Sequence, residues 1–212
     1  MKVLLVNGSP HKNGCTYTAL NEAAKALNSE GIDTEFFWIR NKPISGCHAC
    51  NNCETTGYCF IDDVVNEFRK LAAGADGFLF GTPVYYASAN GSMISFMDRV
   101  FYSESYGNNG AAFYLKPAAT VISARRAGTT ATFDQMNKYF TIAQMPIVSS
   151  RYWNMVHGME PGEVLRDKEG LFVMRVLGRN MAYILKCIEA GTKAGVPLPK
   201  SEARVITNFI RD

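Results

Sequence analysis

Short, wholly apolar runs alternate with amphipathic stretches along most of the chain. Val3–Val6 is apolar at every position, the mark of a strand covered on both faces. A polar stretch follows, and Tyr17–Leu27 then sets Ala and Leu on one side, which predicts a helix. Thr34–Ile39 predicts a second strand. Asp62–Ala73 carries Val65, Phe68 and Leu71 at spacing three and predicts a helix, with Asp62 or Asp63 as its cap. Gly77–Phe80 predicts a third strand, Met93–Tyr102 a helix, Ala118–Ser123 a fourth strand, Phe133–Ile142 a helix and Pro146–Val148 a short fifth strand. A long terminal helix runs from Lys168 to Ala194, with Leu171, Met174, Met181, Leu185 and Ile188 in one apolar stripe. That stripe suits packing on the sheet. A subunit interface is the alternative, since Gly178 in its middle would let another helix come close.

Strands alternating with helices imply right-handed βαβ units and an α/β three-layer sandwich around a five-stranded parallel sheet. Five strands suit the order 2-1-3-4-5, in which ligands gather at the carboxyl ends near the switch in direction. No linker, charge block or repeat divides the chain, so a single domain over 1–212 is expected, with a cysteine-rich loop at 44–60.

Composition narrows the classes. With 212 residues, 47% hydrophobic and 19% charged, the chain can build a substantial core. A scattered net charge of +3 does not point to nucleic acid. The first apolar run stops at Asn7, Gly8 and Pro10, short of the ~7–15 residues of a signal core. No stretch reaches the ~20 apolar residues of a membrane helix. A cytoplasmic protein, bound to no membrane, is expected.

Three segments, each directly after an expected strand, are rich in binding groups. Gly8-Ser9-Pro10-His11-Lys12-Asn13-Gly14-Cys15-Thr16 precedes a helix start, where unpaired N–H groups and the helix dipole favour an anion. Ser9 and Thr16 add hydroxyls, Asn13 an amide, and His11 and Lys12 positive charge. A Walker loop is excluded because no Lys follows Gly14, and the Gly-x-Gly-x-x-Gly fingerprint is absent. A terminal phosphate such as that of FMN suits this donor set; a plain capped βα turn is the alternative. Gly81-Thr82-Pro83-Val84-Tyr85-Tyr86-Ala87-Ser88 supplies the aromatic wall and backbone donors that a flavin ring needs. Ser123-Ala124-Arg125-Arg126-Ala127-Gly128 brings two arginines, suited to negative charge at the N1/O2 edge of a flavin or to a pyridine-nucleotide phosphate, or simply solvated.

Four of the six cysteines, Cys47, Cys50, Cys53 and Cys59, form C-x2-C-x2-C-x5-C after the second strand. Thiolates at this spacing can converge on one inorganic cluster. Zinc held by four thiolates, empty thiols and a disulfide remain open. His48 inside the motif is read as solvated, and Cys15 and Cys187 as lone small hydrophobes. In the aromatic segment Ser149–Gly158, Tyr152, Trp153 and His157 either cover a flavin or pack beneath the terminal helix.

The Gly8–Gly14 loop, the Gly81–Gly91 stretch and the four cysteines together resemble the NADPH-dependent FMN reductase and iron–sulfur flavoprotein families. Cys15 stands where those families often have Asn. The resemblance implies a flavodoxin-like fold and bound FMN. It also implies a homodimer or homotetramer, and in the iron–sulfur members a [4Fe–4S] cluster on the compact cysteine motif. The expected function is an FMN-dependent NAD(P)H oxidoreductase serving an unknown acceptor. An electron carrier exchanging with a ferredoxin-like protein and a zinc-stabilised binding module are the alternatives.

Overall fold

The computed structural model describes residues 1–200, 202, 205–207, 209 and 210. The single-domain expectation also takes in residues 201, 203, 204, 208, 211 and 212, which lie outside the described residues. In chain order the elements are β1 (Lys2–Asn7), α1 (Cys15–Ser29), β2 (Asp33–Trp38), α2 (Asn52–Thr56) and α3 (Val64–Ala72). Then come β3 (Gly77–Tyr85), β4 (Ser88–Ala89), α4 (Gly91–Gly107), β5 (Ala118–Ala124) and α5 (Thr129–Ile142). β6 (Met155–His157), α6 (Pro161–Val164) and α7 (Lys168–Lys193) complete the fold.

The parallel sheet has the order β2-β1-β3-β5-β6, and β4 folds back antiparallel on the end of β3. With that hairpin arm set aside, the spatial order is the expected 2-1-3-4-5. β1 lies between β2 and β3, Leu5 standing opposite Phe36 on one side and Leu79 on the other. Its alternating side chains feed two cores, as a strand covered on both faces must. Val3 and Leu5 join Leu20, Leu27, Met174, Leu177 and Met181 under α1 and α7. Leu4 and Val6 join Phe68, Phe80, Phe96 and Phe140 under α3, α4 and α5. The second core is strongly aromatic, with Phe68 5.2 Å from Phe96 and Phe101 4.6 Å from Phe113 between ring centroids.

Two expectations need correction. The fifth strand is Met155–His157, paired in register with Ile122–Ala124. Pro146–Val148 makes only an isolated bridge, Ile147 to Ala118, before the chain bulges away and returns eight residues on at Met155. The apolar stripe of α7 mainly packs within the chain, but Ile188 is exposed. Gly178 faces α1: a Cβ there would stand 2.6 Å from the Ala23 carbonyl oxygen and 2.8 Å from Ala26 Cβ. The close approach that a glycine permits is therefore spent on a neighbouring helix of the same chain. Asp63 is the cap of α3, its side chain accepting from the Val65 N–H at 3.0 Å. Among the described residues no helix is long and apolar enough to cross a membrane.

Candidate functional site

Asn7, the last residue of β1, shapes the first turn from within. Its Oδ1 accepts from the Ser9 N–H at 3.0 Å, and its Nδ2 donates to the Lys12 carbonyl at 3.0 Å. Trp38, the last residue of β2, donates its indole N–H to the Ser9 carbonyl at 2.8 Å. The buried Ser9 hydroxyl accepts from the His11 N–H at 3.1 Å, while His11, Lys12 and Asn13 are exposed. α1 then starts at Cys15 with Gly14 as its N-cap, so no side chain of the cap residue bonds its free N–H groups, and no acidic residue stands in its first turn. α5 starts the same way, behind Gly128. The other helices of nine residues or more, α3, α4 and α7, are each capped by a side chain, from Asp63, Asn90 and Asp167. The two open helix ends are those that follow β1 and β5, at the carboxyl rim of the sheet. Each leaves backbone N–H groups and a positive dipole end directed to that rim.

The structure brings the three polar segments together there. The Gly8 N–H donates to the Gly81 carbonyl at 2.8 Å, and buried Asn90 donates its amide to the Gly8 carbonyl at 2.9 Å. Thr16 and Ser123 share a hydroxyl–hydroxyl hydrogen bond of 2.8 Å. Thr82 and Pro83 lie inside β3, opposite Ile122 and Ser123 of β5, so the third strand runs further than its apolar run suggested. Val84 and Tyr85 pair with Ala89 and Ser88, and the Ala87 N–H donates to the Tyr85 carbonyl at 2.7 Å. This tight turn holds Tyr86 fully exposed at φ +54°. Tyr85 is 43% exposed. Partial burial pushes its phenol pKa up, and a hydrogen bond with the Ser9 side chain opposes that rise. Gly128 sits at φ +89°, where a Cβ would come within 2.9 Å of Val84 Cγ1. Ala124 is buried in β5, whereas Arg125 and Arg126 stand exposed beyond it. Cys15 donates its thiol to the Gly158 carbonyl at 3.7 Å, tying the loop after β6 to the same rim. Burial pushes that thiol's pKa up, with Glu163 and Glu160 adding to the rise.

The aromatic segment ahead of β6 is not packed beneath the terminal helix at its two largest side chains. Tyr152 and Trp153 are both exposed and pack on one another, 4.8 Å between ring centroids. Asn180 of α7 holds the segment by donating to the Ser149 carbonyl at 2.7 Å. Cys187, expected as a lone small hydrophobe, is exposed on α7 beside Tyr183.

The four clustered cysteines line one small cavity of about 30 Å³, together with His48, Arg99 and Tyr102. All six cysteines of the chain are free. Cys47 and Cys50 are exposed, Cys53 is buried on α2, and Cys59 is half-buried. Burial pushes the Cys53 thiol up, and Cys59, Cys47 and Cys50 push it further by their charge, so the four sulfurs feel one another. The backbone is bent into this shape by left-handed residues, Ala49 at φ +50°, Asn51 at φ +55° and Gly57 at φ +76°. Asn66 of α3 fixes Cys59 at both ends, accepting from its N–H at 3.0 Å and donating to its carbonyl at 2.9 Å. Among the described residues no three His, Cys, Asp or Glu side chains are drawn together as the ligands of a single metal ion are.

Sequence reasoning passed over four residues that build these sites: Asn7, Trp38, Asn90 and Arg99. Asn90 was findable, as an Asn just ahead of an apolar-periodic run. Arg99 left a fainter signal, one of two adjacent charges, with Asp98, inside the otherwise apolar run Phe96 to Phe101.

Comparison with known proteins agrees with this architecture. The profile of the NADPH-dependent FMN reductase family matches residues 1–160. An iron–sulfur flavoprotein of Methanocaldococcus jannaschii is 32% identical over 199 residues, covering 89% of this chain and 100% of that protein. An NADPH-dependent FMN reductase of Pseudomonas putida is 29% identical over 99 residues, 46% of each chain. A flavodoxin from the domain Archaea superposes with a TM-score of 0.58 at 13% identity, over 88% of this chain and 99% of that one, and shares the fold. The chain belongs to the NADPH-dependent FMN reductase family and is an FMN-dependent oxidoreductase on a flavodoxin-like fold.

Proposed function

We propose that the chain oxidises NAD(P)H at an FMN held on the carboxyl rim of the sheet and delivers the electrons to an acceptor by way of the four-cysteine site. The observation that carries this is the pair of open, glycine-capped helix ends, α1 and α5, at the rim where the three polar turns meet. The donor set fits the cofactor. Backbone N–H groups at the start of α1, with Ser9, His11, Asn13, Gly14, Cys15 and Thr16, suit a dianionic phosphate. Thr82, Pro83, Val84, Tyr85, Tyr86 and Ser88 form the wall for the ring. Ser123, Ala124, Arg125, Arg126 and Gly128 form its other edge. When bound, FMN supplies hydride acceptance at N5 and release of single electrons.

The protein's part is orientation and electrostatics. The Tyr85 phenol is a hydrogen-bond donor at neutral pH, as an ordinary tyrosine is. Arg125 and Arg126 draw the phosphates of a nicotinamide nucleotide to the open face. No residue needs to act as acid or base, because hydride transfer depends on alignment.

The cysteine site fits a cluster in its chemistry: four soft thiol ligands around one cavity, with a buried guanidinium as counter-charge. Cys47, Cys50, Cys53 and Cys59 would hold it, and a [4Fe–4S] group supplies one-electron transfer there. Free thiols suit a reducing, cytoplasmic setting. A homodimer or homotetramer belongs to the same reading.

The same buried guanidinium favours a second reading, an iron–sulfur electron carrier reduced by a ferredoxin-like protein and not by a nicotinamide. Anaerobic mixing with NADPH and with NADH separates the two. Bleaching of the flavin absorbance by either supports the oxidoreductase. Reduction by a reduced ferredoxin alone supports the carrier and overturns the first reading.

A further inference from the structure

We infer that Arg99 sets the redox level of the four-cysteine site by forking onto the Cys59 sulfur from inside the protein. The inference rests on the cluster reading of that site and assigns a role to a residue outside the cysteine motif.

Arg99 stands on α4, and its side chain is 0% exposed. Its guanidinium offers two donor edges, and both are used. Nη1 and Nη2 donate to the Asp63 carboxylate at 2.7 and 2.9 Å. Nε and Nη2 donate to Cys59 Sγ, both at 3.3 Å. Nη2 also donates to the Ile61 carbonyl at 2.8 Å. A guanidinium keeps its positive charge in proteins, and the Asp63 carboxylate stands beside it as its counter-charge. A buried cation aimed at a sulfur by two N–H groups favours added negative charge on that sulfur and on any iron bound to it.

An electron entering the site adds one negative charge, and no bond is made or broken. Arg99 therefore stabilises the reduced state more than the oxidised one and raises the midpoint potential. Asp63 works against it by neutralising part of the guanidinium charge. The planar fork is needed for this: a lysine at position 99 keeps the charge but cannot present two parallel donors to one sulfur. The cysteine motif alone would leave the potential to solvent, since Cys47 and Cys50 are exposed.

The test uses the full chain, prepared anaerobically, with iron and sulfide analysis, a spectroelectrochemical titration and electron paramagnetic resonance of the reduced state. Wild-type protein is expected to carry about four iron and four sulfide per chain. Arg99→Lys is expected to shift the midpoint potential to more negative values and to change the resonance signal. Asp63→Asn is expected to shift the potential the other way. A residue that only held the loop in place would move neither, or both in the same direction. Should Arg99→Lys fail to fold or load, Asp63→Asn and the coupling of exchangeable protons to the wild-type cluster, compared in H₂O and D₂O, decide the matter. A loaded Arg99→Lys protein with unchanged potential and signal overturns the role of Arg99 while the cluster reading stands. Folded wild-type protein that takes up no iron and sulfide overturns both.

Discussion

Gly128 has two reasons to be glycine: a left-handed φ and a Val84 methyl 2.9 Å from where a Cβ would stand. Gly128→Ala must therefore move the third turn away from the second, or strain both. The left-handed conformation alone costs about 1–2 kcal/mol, so a roughly tenfold rise in the FMN dissociation constant is expected, read by flavin fluorescence. Glu104 shows the same economy beneath the cysteine loop. Its Oε2 accepts from Arg69 at 2.6 and 3.1 Å, and its Oε1 from the Ala112 N–H at 3.0 Å. Burial alone would raise the Glu104 pKa, but Arg69, Ala112 and Asn108 hold it below the usual carboxylate range. Its contribution is then present above the unfolded-state pKa and is lost as pH falls through the lowered folded value. Glu104→Gln is expected to cost about 3–5 kcal/mol near neutral pH, as breaking a buried pair does. The gap to wild type in urea denaturation should narrow in acid. Residues such as Ser9, Thr16 and Tyr85 could be picked from sequence because a strand end places them. Arg99 and Glu104 could not: the charged and sulfur partners that define them, Cys59 and Asp63 for the one and Arg69 for the other, lie 35 or more positions away.

At the level of elements, α7 and α1 form a close joint between helices, closed at Gly178 against Ala23 and Ala26. A Gly178→Val side chain has nowhere to go. It should destabilise the protein by about 1–3 kcal/mol, as overpacking does, and lower the urea midpoint without abolishing FMN binding. Long periodic elements such as this helix were legible nearly to the residue, since 26 residues of one apolar face leave little freedom. The fifth strand was not. Three residues, Met155–His157, carry no period of their own, and their place is fixed by pairing with Ile122–Ala124. The apolar run Pro146–Val148 met the same neighbour one bridge too early. The β3–β4 hairpin escaped for a related reason: Pro83 argues against a strand interior, yet its carbonyl still accepts from the Asn90 N–H at 3.2 Å.

Across the whole molecule, α4 joins the two candidate sites. Its cap, Asn90, bonds the first rim turn, and Arg99 reaches the cysteine loop nine residues later, roughly 14 Å along a helix. A rigid element with one end on the carboxyl rim and its middle on the cysteine cavity keeps the two at fixed separation within one chain. The rim itself rests on three turns that the parallel topology gathers from residues far apart in sequence, and any flavin site there depends on that gathering. It is tested most directly by stripping the flavin, titrating FMN back onto the full chain and following the quenching of its fluorescence. Saturation at one FMN per chain, weakened by Gly128→Ala and by competing inorganic phosphate, is the predicted result. A folded protein that shows no saturable FMN binding, or binds equally well with Gly128→Ala and in excess phosphate, would contradict it.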